Sequence, residues 1–445
     1  MLEEHEVQVL VEKILGFSRA TQTEVLFFGT DRSLTRFANN YIHQHVAETN
    51  RSVSVRAVLG NRIGVASTNK LDDASLRDVV NRALTIASVQ PENPEFKSLP
   101  GPQPITPVQG YNEHTAAFGP EERAQGVKVV VDRAREKGYE SAGAFETLVQ
   151  QTAVANSLGV FAHQRSTEAE FHAVVMADAD GSGYVQRVSM DASSFDFDAM
   201  ATEAVEKAQK SRNPSELPVG EYRVVLDSYA VGEMLQYLAF MGLSALAVQE
   251  ERSFMNGHFG EQIVSQDVSI YDDAFDPNGL PMAFDFEGVP KQRLAMIDRG
   301  VARAVPYDSF TANREGKENT GHALPAPNTF GPYPVNLLMA AGDASREDLF
   351  QGIERGVYVT RFHYCNMVHP VKTLFTGMTR DGTFLIEHGE LVRPVKNFRF
   401  TQSILETLGA VEAISRHRVQ VRDYTTVVAP AIRSGKFTFT GLTDH

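Results

Sequence analysis

The twenty residues from Tyr229 to Val248, YAVGEMLQYLAFMGLSALAV, form the longest apolar stretch of the chain. A stretch of that length either crosses a bilayer, which takes ~20 residues, or fills the middle of a large core. Glu233, Gln236, Ser244 and two glycines interrupt it, and Glu250-Glu251 closes it. Hydrocarbon offers such polar groups no partner. The stretch is therefore predicted to be a buried helix of a soluble protein, with no membrane contact. The chain is long enough to supply that core: 445 residues allow two or three domains at roughly 100–200 residues each. Its 42% apolar and 22% charged residues are those of an ordinary globular protein.

The segments on either side of this helix mix strand and helix patterns. Val7, Leu10, Val11, Ile14 and Leu15 recur at helical spacing. A strand-like run at 24–28 follows, then residues 34–49, then 52–59 and 63–68, with Gly60-Asn61 as a hairpin signal. Asp72 or Asp73 caps a helix with Leu76, Val79, Val80, Ala83 and Leu84 inward. Residues 91–110 hold six of the 20 prolines and read as an extended connector. A helix at 120–138, strands at 146–156, 168–177 and 183–190, and a helix at 197–211 complete the first half. The second half opens with a strand at 222–227 and the apolar helix. A short helix at 345–355, a meander at 357–365, 371–379 and 383–394, a helix at 402–414 and a final strand pair follow. Regular βαβ alternation is absent, so the expectation is α+β: an N-terminal domain over 1–215, containing the 91–110 connector, and a mostly antiparallel C-terminal domain over 216–445.

Charge and cysteine content exclude several classes. Forty-two Lys and Arg against 56 Asp and Glu leave a net charge of −14, which opposes tracking along nucleic-acid phosphates. The single cysteine, Cys365, cannot form an internal disulfide or a Cys-rich metal site. The acidic start, Met1-Leu-Glu-Glu-His-Glu, lacks the positive region of a signal peptide. A cytoplasmic location is expected.

Few residues suggest chemistry by spacing alone. His363, Cys365 and His369 share strand parity and would project from one face, where imidazole and thiolate could hold zinc. His43 and His45 are likewise two apart, whereas His172, His258 and His322 stand alone. Asp178-Ala-Asp180-Gly reads as a hairpin turn, since the twelve-residue calcium pattern fails around it. Asp272, Asp273, Asp276, Asp285 and Glu287 could line a cation site, but a solvated loop is the plainer reading. No nucleophile elbow, phosphate loop or dinucleotide fingerprint is present.

Longer segments say more. Thr35-Arg-Phe-Ala-Asn-Asn-Tyr-Ile-His43, FDFEGVPKQR at 284–293, Glu318-Asn-Thr-Gly-His-Ala323, residues 356–390 and ILETLGAVEAI at 404–414 together resemble the TldD/PmbA, or modulator-of-DNA-gyrase, family from end to end. That resemblance implies two kinds of chain. TldD-type chains carry H-E-x-x-x-H on a helix and a later cysteine as third zinc ligand. The metal activates water, and the helix glutamate accepts a proton. TldE/PmbA-type chains lack these ligands and serve a TldD-type partner in cleaving unfolded peptides.

In this sequence the corresponding helix reads Gly232-Glu233-Met-Leu-Gln-Tyr237. Glu233 matches the general base, while Gly232 and Tyr237 stand at the two histidine positions. The family's late cysteine would fall near Val428-Ala-Pro430, where there is none. The resemblance thus implies a TldE-like chain with no metal or other cofactor, inactive alone. It would work with a TldD-type subunit or as a homodimer on an unfolded peptide, without nucleic acid. Two alternatives stay open: a self-contained peptidase with zinc relocated to His363, Cys365 and His369, and a homodimeric binding protein with no proteolytic role.

Overall fold

The computed structural model describes residues 1–443, and the chain is a mixed α+β protein built on two sheets. The first sheet starts from a long hairpin: Gln22–Ala38 pairs with Tyr41–Leu59 along nearly its whole length, with one register shift between Arg36 and Phe37. Asn39 and Asn40 make the turn with φ of 50° and 62°. Asparagine enters this left-handed region more readily than most residues, and such a two-residue turn matches the twist of its strands. The short strand expected at 24–28 is therefore part of a far longer one, and the turn signal was Asn39-Asn40. Arg62–Thr68 joins after the expected Gly60-Asn61 turn, and Glu140–Asn156, Phe161–Met176 and Ser182–Ser189 extend the sheet on the other side.

Helices cover this sheet with their apolar stripes. Val7, Val11, Ile14, Leu76, Val79 and Val80 meet Val25, Phe27, Val53 and Val55. Asp72 caps the second of these helices by accepting from the Ser75 amide at 3.0 Å. The helices Pro120–Glu136 and Phe197–Lys210 pack on the far end around Phe145 and Phe171. The 91–110 connector forms neither helix nor strand.

The second sheet has eleven strands among the described residues. Its core includes the apolar stretch, which forms the helix Ser228–Gly242, breaks at Leu243-Ser244 and resumes as Ala245–Gln249. Val231, Met234, Leu235 and Leu238 are fully buried in one cluster with Phe362, Phe375, Phe398, Phe400, Phe437 and Phe439. Three expected elements differ. Residues 346–352 form turns rather than a helix, although Ser345 and Asp348 bond each other's backbone as a helix start would. Leu374–Glu387 is one strand where two were expected. The helix at 402–414 stops at Gly409, and Val411–Arg422 continues as a strand.

Two polar junctions fix the second half against the first sheet, one through the apolar helix and one through the strand Val411–Arg422. The Tyr229 hydroxyl, at the helix start, accepts from the Gln186 amide at 3.2 Å and from Arg187 at 2.6 Å. The Gln186 side chain in turn donates to the Arg422 carbonyl and accepts from its amide, at 2.8 and 3.1 Å.

Candidate functional site

The helix Ser228–Gly242 presents Glu233 and Tyr237 four residues apart, hence on one face. Gln236 bonds the next turn of chain: its side chain donates to the Thr425 carbonyl and accepts from the Tyr424 amide at 3.2 Å. The Tyr237 hydroxyl donates to the Cys365 carbonyl at 2.5 Å. Glu233 interacts electrostatically with the Cys365 thiol, Asp423 and Arg361. Burial pushes Glu233 up to about 7, a shift the thiol opposes and Asp423 reinforces. Burial and then the Glu233 carboxylate push the Cys365 thiol well above the ordinary thiol range. A thiol held in its protonated form is a poor nucleophile and a poor metal ligand.

Gly232 and Tyr237, the two positions expected above to correspond to zinc-binding histidines, do not fit a zinc ion. Gly232 has no donor, and its surroundings leave no room for one. A Cβ built there would lie 2.8 Å from Val421 Cβ and 3.0 Å from Val421 Cγ1. Tyr237 spends its hydroxyl on a backbone carbonyl, and burial, Cys365 and Glu233 all hold the phenol protonated. A tetrahedral site needs three or four anionic or imidazole donors, and neither Gly232 nor Tyr237 adds one to Glu233.

The relocated set does not assemble either. Tyr364 adopts φ 52° at a register shift between His363 and Asn366. This bulge adds one residue to the strand and reverses the alternation beyond it. Phe362 and Cys365 consequently point into the same core, with the thiol against Gly377, while Tyr364 is 73% exposed. His363 is half-buried and His369 lies on the surface near the turn to Leu374. The parity expected for His363, Cys365 and His369 is thereby broken. Among the described residues no group of three or more His, Cys, Asp or Glu side chains is arranged to hold a metal.

His43 and His45 are both exposed, and His45 Nδ1 meets the Thr35 hydroxyl at 2.9 Å. Asp178 to Gly181 is a turn, with Ala179 and Asp180 at positive φ. The acidic segment, in contrast, is not a solvated loop. Asp272 is fully buried, with Lys291 Nζ at 2.9 Å and His322 Nε2 at 3.1 Å from its Oδ1, close but outside aligned hydrogen-bond geometry. Burial alone would raise Asp272, but Lys291 and then His322 hold it below the ordinary carboxylate range. Asp285 accepts from the amides of Glu287, Val289 and Ala323, each at 2.9 Å. Glu287 pairs with Arg56 of the first sheet at 3.2 Å, and Arg56 also binds Glu24. Asp276 pairs with Arg418 at 2.9 Å and Asp273 with Arg293 at 3.3 Å. Thus 284–293 and 318–323, quoted above as separate segments, close on each other and bolt the second sheet to the first. Sequence reading left His322 isolated; its signal lay in the pairing of those two segments.

Comparisons with known proteins match this architecture. Three family models cover the chain: PmbA/TldA metallopeptidase domain 1 at 23–87, the central domain at 115–212 and the C-terminal domain at 219–441. The first two meet across the proline-rich connector, while hydrogen bonding joins both into one sheet. The crystal structure of TldE from Thermococcus kodakarensis superposes with a TM-score of 0.90 at 20% identity, over 98% of this chain and 100% of that one. A structure from Thermotoga maritima, described as a putative modulator of a DNA gyrase, gives 0.87 at 20% identity with the same coverage. Among curated relatives, a metalloprotease TldD homolog of Haemophilus influenzae is 25% identical over 82% of this chain and 79% of its own length.

Proposed function

The chain belongs to the PmbA/TldA metallopeptidase family, and from that premise we propose that it is a TldE-like subunit that binds no catalytic zinc. It helps a TldD-type partner hold and cleave unfolded peptide. The observation that carries this reading is the filling of the first histidine position: Val421 occupies the space where a side chain on Gly232 would stand. The second position supports it, because the Tyr237 hydroxyl is tied to a carbonyl. Glu233 keeps the residue type of a general base, and a carboxyl poised near neutrality can exchange protons at working pH. Without a metal-activated water beside it, its role is to shape and charge the wall of a shared chamber.

Two measurements test the reading together. Elemental analysis of the purified chain is expected to find far less than one zinc per molecule, and the chain alone should leave an unfolded peptide intact. Adding a family member with an intact H-E-x-x-x-H should produce cleavage. One tightly bound zinc per chain, or metal-dependent cleavage by the chain alone, rejects it.

A further inference from the structure

A different site lies at the opposite end of the same helix. A cavity of about 390 Å³ opens where the helix Phe197–Lys210 and the strand Ser182–Ser189 meet the second sheet. Its volume falls in the ~300–1,000 Å³ range of small-molecule sites. The floor is apolar: Val225, Leu349 and Tyr358 are almost completely buried, and the Phe350 ring lies 5.7 Å from that of Tyr358.

The charges inside close on one another. Asp227 accepts from the Ser228 amide at 2.8 Å and from the Tyr358 hydroxyl, with Lys207 at 3.7 Å. Glu203 accepts from Arg187 at 2.7 Å, from Lys207 at 2.8 Å and from the Tyr229 hydroxyl at 3.2 Å. Two carboxylates thus meet two cations. Arg346 and Arg416 are left over at the mouth. Arg346 is 61% exposed, donates to the Tyr358 hydroxyl at 3.2 Å, and has only Asp227 at 3.8 Å as an ionic contact among the described residues. Arg416 is exposed and donates to the Asp343 carbonyl at 3.0 Å. Asp348 lies within electrostatic reach of Arg416, but its carboxylate is already bound by the Ser345 amide and the Gln351 side chain.

An apolar floor below two guanidinium groups that keep exposed surface at the mouth selects one kind of molecule. We propose that this cavity binds a small organic anion, its apolar body on Leu349, Phe350 and Tyr358 and its carboxylate or phosphate on Arg346 and Arg416. Guanidinium forks match both anions in geometry. The local positive excess is also distinctive in a chain of net charge −14. The inference is independent of the peptidase reading, since Asp227 precedes Glu233 by ~9 Å of helix and no residue of the Glu233 cluster lines the cavity.

Calorimetric titration of the full chain tests it with phenyl phosphate, benzyl alcohol and inorganic phosphate as probes. Phenyl phosphate is expected to bind saturably at one site, at least tenfold more tightly than either of the others. The double variant Arg346→Ala/Arg416→Ala should lose tenfold or more in phenyl phosphate affinity. Val419→Phe, which fills the cavity from a partly buried wall position, should abolish binding, and circular dichroism checks that both variants are folded. No binding of phenyl phosphate up to about 10 mM, equal binding by the arginine variant, or equal affinity for inorganic phosphate would overturn the proposal.

Discussion

Two carboxyl groups of the second half, Glu233 and Asp272, are drawn into the interior, the first partly and the second completely, yet burial has opposite outcomes for them. Glu233 meets a thiol and a second carboxylate, Asp423, and is pushed up to about 7. Asp272 meets Lys291 and His322 and is held below the ordinary range despite complete burial. A carboxyl in contact with two cations becomes part of the frame, whereas one that feels only the pull of Arg361, without an ion pair among the described residues, keeps a proton exchangeable near neutrality. The residue types that suggest chemistry, a histidine beside an aspartate, are those locked in the frame. The partly accessible carboxyl stands between Gly232 and Tyr237, neither of which supplies a metal donor.

The largest expected effect comes from breaking the locked cluster. Lys291→Met leaves Asp272 without its main cation inside the protein, a change that costs about 3–5 kcal/mol. Adding Asp272→Asn removes the stranded charge and should return a large part of that loss, which urea denaturation of the single and double variants measures. Equal stability of wild type and Lys291→Met would mean that Asp272 is no better compensated than Glu233, and the contrast between the two regions would fail.

The comparison also marks what the sequence could reveal. The apolar helix was legible because a largely apolar run of that length, broken by a few polar residues, has few places to go. Its membership in the core and the absence of histidine at 232 and 237 followed from residue identities, whereas its Asp227 cap, placed at the end of the preceding strand, was not foreseen. The family was legible from segments spread along the chain. What stayed hidden depended on contacts between distant segments. Lys291 and His322 converge on Asp272 only after 284–293 and 318–323 fold together. Val421 reaches Gly232 from a strand nearly two hundred residues away in the chain. The bulge at Tyr364 was hidden for a local reason: a strand pattern states its period but not where it slips. The turn at Asn39-Asn40 was visible in principle, since asparagine pairs suit left-handed backbone.

A smaller effect is expected at Gly232. Alanine is the better helix former by roughly 1 kcal/mol, so on a free helix surface Gly232→Ala would stabilise. Here the new methyl would stand 2.8 Å from Val421 Cβ, and overpacking of that kind costs typically 1–3 kcal/mol. Net destabilisation is expected, relieved when Val421→Ala is added. Thermal denaturation of both variants decides the sign. Stabilisation by Gly232→Ala alone would reopen the space that a histidine needs, and with it the possibility of a metal beside Glu233.

The smallest effect is the most direct reading of Glu233 itself. Its ordinary value is 4.5 and its folded value about 7. Below pH 4.5 the carboxyl is neutral in folded and unfolded chains alike, and the stability linked to its raised value is fully present. Between 4.5 and 7 the unfolded chain ionises freely while the folded chain must ionise a buried group, so that stability is lost as pH rises. Glu233→Gln cannot titrate. Its stability relative to wild type should therefore climb from pH 5 to pH 8, by about 1–2 kcal/mol once the partial exposure of the group is allowed for. Asp272→Asn should show the opposite slope: its carboxylate is favoured in the folded state, so wild type gains over the variant as pH rises from strong acid through the ordinary carboxylate range. Parallel pH profiles for the two variants would show that Glu233 has a compensating cation and belongs to the frame as Asp272 does.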